Sequence, residues 1–274
     1  MPSTQAEKAT AFRALHDRPG YFIFPNPWDG MSAKVLEGMG FEALATSSGA
    51  IAGTLGRRDG QISREESLFN ARVIVSSTEL PVAADLEKGF ADDPAGVAET
   101  IALAAETGLV GGSIEDATGN REQPLFAFDA AVERVAAAVE AARKLPFQFT
   151  LTARTENFLR GNPDLDDTIA RLKAFEKAGA DVLFAPGLPD LDAVRAVCQS
   201  VSKPVNYMQG IPGRSFSAKD LAEAGVKRIS LATSLYRTAM SALVDAAREA
   251  KEQGTFSYVD ATTGERDMNR YVGR

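Results

Sequence analysis

The chain is poor in the residues that usually announce a catalytic or structural centre. It has one cysteine, Cys198, which excludes a disulfide framework and any multi-cysteine metal site. Its one histidine, His16, excludes a His-rich zinc centre and leaves a Ser-His-Asp triad a single residue to draw on. Basic residues are in the minority, 30 Lys and Arg against 37 Asp and Glu, so the basic stripe that nucleic acid requires is missing. No apolar run approaches the ~18 residues of a membrane span. The first residues, Met1–Arg18, are polar and charged, without the apolar stretch of a secretory signal. A soluble cytoplasmic protein that binds neither nucleic acid nor membrane is the expectation. The formal charge of -7 places no bar on a small anionic substrate, which responds to the local field.

Cys198 ends the helical pattern Asp192–Cys198, away from any strand end, and reads as a structural helix position. His16 lies in a helix-like N-terminal segment among charged neighbours and reads as a surface or interface residue.

What is present is a rhythm. Short β-rich runs at Tyr21–Pro25, Ala43–Ser47, Val82–Asp85, Val110–Glu115, Phe149–Arg154, Val182–Ala185, Pro204–Met208 and Arg228–Leu231 alternate with Ala-rich amphipathic stretches. The helical patterns include Pro94–Thr107, Ala127–Lys144, Leu165–Ala178, Leu188–Ser200, Ala218–Ala224 and Thr233–Glu252. Gly40, Gly108, Gly179 and Gly225 each follow a periodic run, where a C-cap glycine fits. Strands alternating with helices imply a parallel sheet, and eight is the number that closes. The fold class is therefore α/β, a (β/α)8 TIM-type barrel forming one domain over residues 1–274. An N-terminal helical segment precedes it, and a C-terminal helix plus tail, about 233–274, follows. A doubly wound open sheet is the alternative, but no Gly-x-Gly-x-x-Gly follows the first strand. Two connections exceed the rhythm: a Gly-rich insertion over Ser48–Arg64, and the segment Ala117–Phe126. Long loops after barrel strands carry ligand contacts and lids. The polar tail suits docking on a neighbouring subunit.

The acids fall where a barrel does its chemistry. Asp85 with Glu87, Glu115 with Asp116, and Arg154 with Glu156 end three strands, joined by Asn26, Ser47, Ser48 and Asn206. Buried strands seldom finish on charge for stability alone, since an unpaired buried carboxylate is costly. All-oxygen ligands suit a hard cation such as Mg²⁺, or Mn²⁺ in its place, which takes one or two of these acids directly and leaves the others to hold its waters. Arg154 offers a planar fork for a carboxylate or an enolate oxygen. The amides of Ser48, Gly49 and Ala50 could form a nest for an anion, with Asn206 a further substrate contact. The bland alternative has the acids capping helices or pairing with Arg57, Arg58, Lys88 or Arg121. A Schiff-base aldolase would need a strand-end lysine, and Lys88, the one candidate, lies in a loop.

From about Pro25 to Thr238 the chain resembles the isocitrate lyase/phosphoenolpyruvate mutase superfamily. The resemblance rests on Thr46-Ser47-Ser48-Gly49-Ala50, Gly56-Arg57-Arg58-Asp59, Ala84-Asp85-Leu86-Glu87-Lys88-Gly89-Phe90, Ser113-Ile114-Glu115-Asp116 and Thr152-Ala153-Arg154-Thr155-Glu156, in that order. It implies an α/β barrel whose eighth helix is swapped between subunits, in a homo-oligomer built as a dimer of swapped dimers. It also implies Mg²⁺ and an α-keto acid or its enolate. By motif, Asp85 resembles the direct metal ligand, with Asp59, Glu87 and Glu115 near the metal waters. Ser48, Gly49 and Ala50 resemble the segment holding the pyruvyl carboxylate, and Arg154 the arginine on the carboxylate and enolate oxygen. Arg154, Asp59 and Glu115 are thus the candidate catalytic residues.

The departures bear on the substrate. Superfamily lyases that split isocitrate or methylisocitrate carry Lys-x-Cys-Gly-His after the Glu-Asp pair, whereas here Ala117-Thr118-Gly119-Asn120-Arg121-Glu122-Gln123-Pro124 follows. The Lys-x-Asn-Ser gating sequence of the phosphonate mutases is also absent, and Glu87 replaces the second aspartate of Asp-x-Asp-x-Gly. The leading expectation is a Mg-dependent lyase or decarboxylase of a small 2-keto or 2-hydroxy dicarboxylate, working through a pyruvate enolate. P–C chemistry is the alternative, as in phosphonopyruvate hydrolase or a phosphonomutase, with Thr118, Asn120 and Arg121 as positioning groups. A non-catalytic keto-acid-binding barrel is the third reading.

Overall fold

Eight short strands form one all-parallel sheet: β1 (Phe22–Phe24), β2 (Leu44–Ala45), β3 (Val82–Asp85), β4 (Gly111–Glu115), β5 (Thr150–Arg154), β6 (Val182–Phe184), β7 (Val205–Met208) and β8 (Arg228–Ser230). The structure, a computed structural model, describes residues 3–272. Strands pair in the order β1-β8-β7-β6-β5-β4-β3-β2. The remaining seam, between β1 and β2, is bridged where the Ala45 amide donates to the Pro25 carbonyl at 2.9 Å. The sheet thereby closes as a (β/α)8 barrel.

The strands read as continuous apolar runs because helices cover their outer faces. These are α2 (Gly30–Gly38), α4 (Arg64–Ser76), α5 (Pro94–Ala105), α6 (Phe128–Arg143), α7 (Leu165–Lys177), α8 (Leu191–Ser200) and α9 (Ala218–Glu223); the short α3 (Ser48–Thr54) lies in the connection after β2, α1 (Gln5–Asp17) precedes the barrel, and α10 (Ser234–Glu252), α11 (Tyr258–Ala261) and α12 (Glu265–Val272) follow it. Local chemistry starts them: Asp93 caps α5 ahead of Pro94, and Ser63 with Glu66 closes a capping box on α4. The long connection after β2 is not loop throughout, because Ser47 caps the short helix α3 at its start.

Helix α1 lies across the end of the barrel where the strands begin. Phe12 is fully buried and stacks on Phe24 at 5.4 Å, in a cluster with Phe22, Ala83 and Val110. His16, one turn on, is buried as well and is not the surface residue its charged neighbours suggested. The same helix face that sinks Phe12 takes His16 with it, edge-on to Phe12 and Phe22. Burial, and then the charge of Arg228, pull its pKa down to about 3, so the ring is neutral. Cys198 is a half-buried helix residue against Gly225, its thiol pushed up to about 12 by burial.

The C-terminal elements behave differently. No residue of α10 is buried, and Leu243 and Val244 stand 59% and 51% exposed. The tail returns to its own chain, where the Tyr271 ring of α12 covers Gly38 of α2. Among the described residues no helix is long and apolar enough to cross a membrane.

Candidate active site

The ends of the strands surround a cavity of about 730 Å³, lined by Ser48, Gly49, Asp59, Asp85, Glu87, Glu115, Arg154 and Asn206. Alternation along each strand decides which acids face it. On β4 Glu115 turns inward, whereas its neighbour Asp116 turns out. Asp116 accepts from the Thr155 hydroxyl and the Glu156 amide, each at 2.8 Å, and from Arg171 at 3.1 Å. It braces the β5 end and takes no part in the cavity lining.

Asp85 is the hub of the acid cluster. Its Oδ2 accepts from the Ser48 hydroxyl at 3.0 Å and the Ser48 amide at 3.3 Å, while its Oδ1 accepts from the Glu87 amide at 3.2 Å. The Ser48 hydroxyl also lies 2.8 Å from Asp59 Oδ1, tying the 57–61 loop to the same point. Gly49 permits this closeness, since a Cβ there would sit 2.9 Å from Thr233 and 3.3 Å from the Asp59 carboxyl carbon. Ala50 stands behind, fully buried, its amide capped by Ser47 at 3.4 Å. Glu87 holds a left-handed φ of +48°, a strained conformation for its residue type. Burial, then the charges of Asp85 and Asp59, push its carboxyl up to about 7.

Arg154 is locked from one side. Its Nε donates to Glu156 Oε1 at 2.5 Å and lies 3.4 Å from Glu115 Oε2, with Nη1 3.9 Å from Asp85 Oδ1. Burial opposes its charge, but Glu156, Glu115 and Asp85 more than offset this and hold its pKa above the ordinary arginine value. Glu115 is raised well above the carboxylate range, first by burial, with Arg154 opposing. Arg160, in the turn after β5, braces both acids at 3.4 Å from Glu115 and 3.1 Å from Glu156. Arg57 and Lys88 are engaged elsewhere, Arg57 with Glu66, and Lys88 with Asp92 and the Thr118 carbonyl.

The donor set fits a hard cation. Glu87 Oε1 is buried without a hydrogen-bond partner beside Asp85, an orphan that an ion or its waters would satisfy. Among the described residues no three acidic, His or Cys side chains converge closely enough to cage an ion by themselves. Such an arrangement suits a cation that keeps several waters and takes few direct carboxylates.

Sequence reasoning missed two arginines that line the cavity, Arg160 at its rim and Arg228 from β8. Asn26 and Asn206 reach the cavity with their side chains engaged. Asn26 ties the Thr46 carbonyl to the Leu231 amide, each at 2.9 Å, and Asn206 contacts Ser230 at 3.0 Å and Arg228 at 2.9 Å. The 117–126 segment folds as a small hairpin closed by an antiparallel bridge between Ala117 and Leu125, with Thr118 and Gly119 at the cavity.

The family model described as phosphoenolpyruvate phosphomutase matches residues 12–251. A solved structure from Burkholderia cenocepacia J2315, described only as a lyase/mutase, superposes with a TM-score of 0.97 at 54% identity over 98% of each chain. The oxaloacetate decarboxylase of Paraburkholderia xenovorans is 30% identical over 89% of this chain and 81% of its own. The 2-methylisocitrate lyase of Halalkalibacterium halodurans is 28% identical over 93% of this chain and 86% of its own.

Proposed function

Given that the chain belongs to the isocitrate lyase/phosphoenolpyruvate mutase superfamily and is a carbon–carbon lyase of that type, we propose that it decarboxylates a small 2-keto dicarboxylate through a pyruvate-type enolate, the cleavage of a 2-hydroxy dicarboxylate to a keto acid and the enolate of the other fragment being the second possibility within the same class. The observation that carries this reading is the lining of the cavity. It combines an oxygen-only acid cluster around Asp85 with the restrained guanidinium of Arg154, and includes neither cysteine nor histidine. In the superfamily lyases that split isocitrate or methylisocitrate, the cysteine of Lys-x-Cys-Gly-His serves as catalytic acid or base for that cleavage, and this chain lacks the motif. Decarboxylation needs no such residue: the C–C bond to the departing carboxylate breaks, its electron pair enters the enolate, CO₂ leaves, and solvent returns the proton.

Asp85 would hold Mg²⁺ or Mn²⁺ directly, with Asp59, Glu87 and Glu115 holding its waters. When bound, the cation supplies Lewis-acid polarisation of the keto oxygen. Arg154, anchored at Nε, turns its remaining N–H groups to the substrate carboxylate and the developing oxyanion, in a site where fixed charge needs no reorganisation. Ser48 and Gly49 flank the carboxylate. Phosphorus–carbon chemistry is less well supported. The Thr118 hydroxyl is spent on Gln123 and Asn120 within its own loop, and neither Asn120 nor Arg121 lines the cavity.

The exposed apolar face of α10 supports a second proposal, a homo-oligomer in which this helix packs on a neighbouring copy. The catalytic test is coupled pyruvate release from oxaloacetate, methylisocitrate, dimethylmalate and phosphonopyruvate, with Mg²⁺ or EDTA and uncatalysed oxaloacetate decay subtracted. Metal-dependent turnover of oxaloacetate is expected. Turnover of phosphonopyruvate alone, or silence across the panel with oxalate still bound, would overturn the decarboxylation proposed here.

A further inference from the structure

Arg228 is the first residue of β8, whereas Asp85, Glu115 and Arg154 are the last residues of β3, β4 and β5. Its guanidinium reaches Thr152, two residues before Arg154 on β5, and His16 of α1, so it lies below the acid cluster, toward the end of the barrel that α1 closes. Barrels of this type usually fill their interior with layers of Val, Ile and Leu. Here the inward positions include Ala45, Ala83, Ser113 and Thr152, and the cavity runs down between them to the guanidinium.

Arg228 is only 4% exposed, and its contacts are all with neutral groups. Nε donates to Asn206 Oδ1 at 2.9 Å, Nη2 donates to Thr152 Oγ1 at 3.0 Å, and the Phe24 ring lies 4.9 Å away. His16 settles the last contact. Its Nδ1 lies 2.9 Å from the Phe12 carbonyl and so carries the proton, leaving Nε2 as acceptor for Arg228 Nη1 at 3.4 Å. A guanidinium has five N–H donors, so two remain. Among the described residues no carboxylate pairs with Arg228, in contrast to Arg154 with its three acids. Burial without a counter-ion pulls its pKa down to about 9. An uncompensated buried charge is expensive unless something answers it.

We propose that the floor of the cavity is an anion-binding subsite built on Arg228, which takes one small anion, a carboxylate group or a halide, without the metal. Thr152, Asn206 and His16 hold the guanidinium beside the Phe24 ring and leave its two remaining N–H groups to the ligand. The same chemistry serves a free anion or one carboxylate end of a longer ligand.

The test uses the full chain stripped of metal with EDTA. Sodium formate and sodium bromide should raise its melting temperature saturably, whereas sodium gluconate at matched ionic strength, too bulky for the floor, should not. Arg228→Gln should abolish the difference, and Arg228→Lys should keep it at weaker affinity. An equal response to gluconate, or an undiminished response in Arg228→Gln, would overturn the proposal. Should Arg228→Gln fail to fold, bromide-soaked crystals of the unaltered protein decide the matter. An anomalous peak against the guanidinium is expected, and its absence refutes the subsite. Calorimetric titration with succinate separates the two sources. Loss of succinate affinity in saturating formate assigns the floor to a ligand's own carboxylate, and succinate binding unaffected by formate assigns it to a free anion.

Discussion

Asp85 and Arg154 lie close enough to feel each other's charge, yet each is held by other partners, and this division of labour sets what their substitution should do. Asp85→Ala removes the acceptor of Ser48 and Glu87 and the proposed direct metal ligand. Metal-dependent oxalate binding, followed by calorimetry with and without EDTA, should fall by about 100-fold or more. Arg154→Lys keeps the charge but not the fork, so it should fail to restore oxalate affinity lost in Arg154→Ala. Glu156 is completely buried, is not among the residues lining the active-site cavity, and positions Arg154 through Nε. Glu156→Gln should therefore cost stability, on the order of 3 kcal/mol for a broken buried pair, and raise KM for a keto acid more than it lowers kcat. A purely structural role would leave KM in place. Cys198→Ser should retain full activity, since the thiol is raised to about 12 by burial and lies on an outer helix. Loss of turnover in that variant would sink the cysteine-independent mechanism.

At the scale of elements, the strand ends were legible because charge directly after an apolar run is rare without purpose. The alternation that separates Glu115 from Asp116 was not, since both follow the same run and only the pairing of β4 with β5 fixes which faces inward. Arg228 was visible as a strand residue, but its role depends on small residues opposite it on β2, β3 and β4, which no local pattern links. His16 was misplaced for a similar reason: its neighbours are charged, yet α1 spans the closed end of the barrel and buries one face. That burial makes a pH prediction. The imidazole titrates near 6.5 when unfolded and near 3 when folded, against the charges of Arg228, Arg13 and Lys227. The unfolded chain therefore binds the extra proton between these values, and stability present above about 6.5 is lost as pH falls toward 3. The buried acids Glu87 and Glu115 have raised pKa values and act in the opposite sense, so the comparison must be differential. His16→Gln should flatten the acid limb of the denaturation midpoint between pH 6.5 and 4 relative to the unaltered protein. Parallel limbs in the two proteins would rule out the buried neutral imidazole as their source.

The whole molecule has a barrel sealed at one end by α1 and open at the other, and one long helix, α10, whose first turn packs Leu235 on the core while its later turns stay outside it. Helix α10 begins against the barrel, where Tyr236 meets Trp28 and would collide with any side chain at Gly53. Beyond that point Leu243 and Val244 lie in solvent, and Phe256 and Val259 after the helix are 60% and 57% exposed. Burying Leu243 or Val244 on another copy would contribute about 1.5–3 kcal/mol each, which gives the helix a reason to be apolar where this chain leaves it bare. A closed two-fold exchange satisfies both copies at once. The double variant Leu243→Glu, Val244→Glu should then sediment as a lower-order species than the unaltered protein. Its melting temperature should cease to rise with protein concentration, as it must when association is linked to folding. Because Trp28 and Tyr236 sit at the base of this helix beside Gly53 of α3, the separated form should also bind oxalate more weakly. A monomeric unaltered protein, or a double variant that keeps both its mass and its concentration dependence, would show that α10 does not carry the assembly.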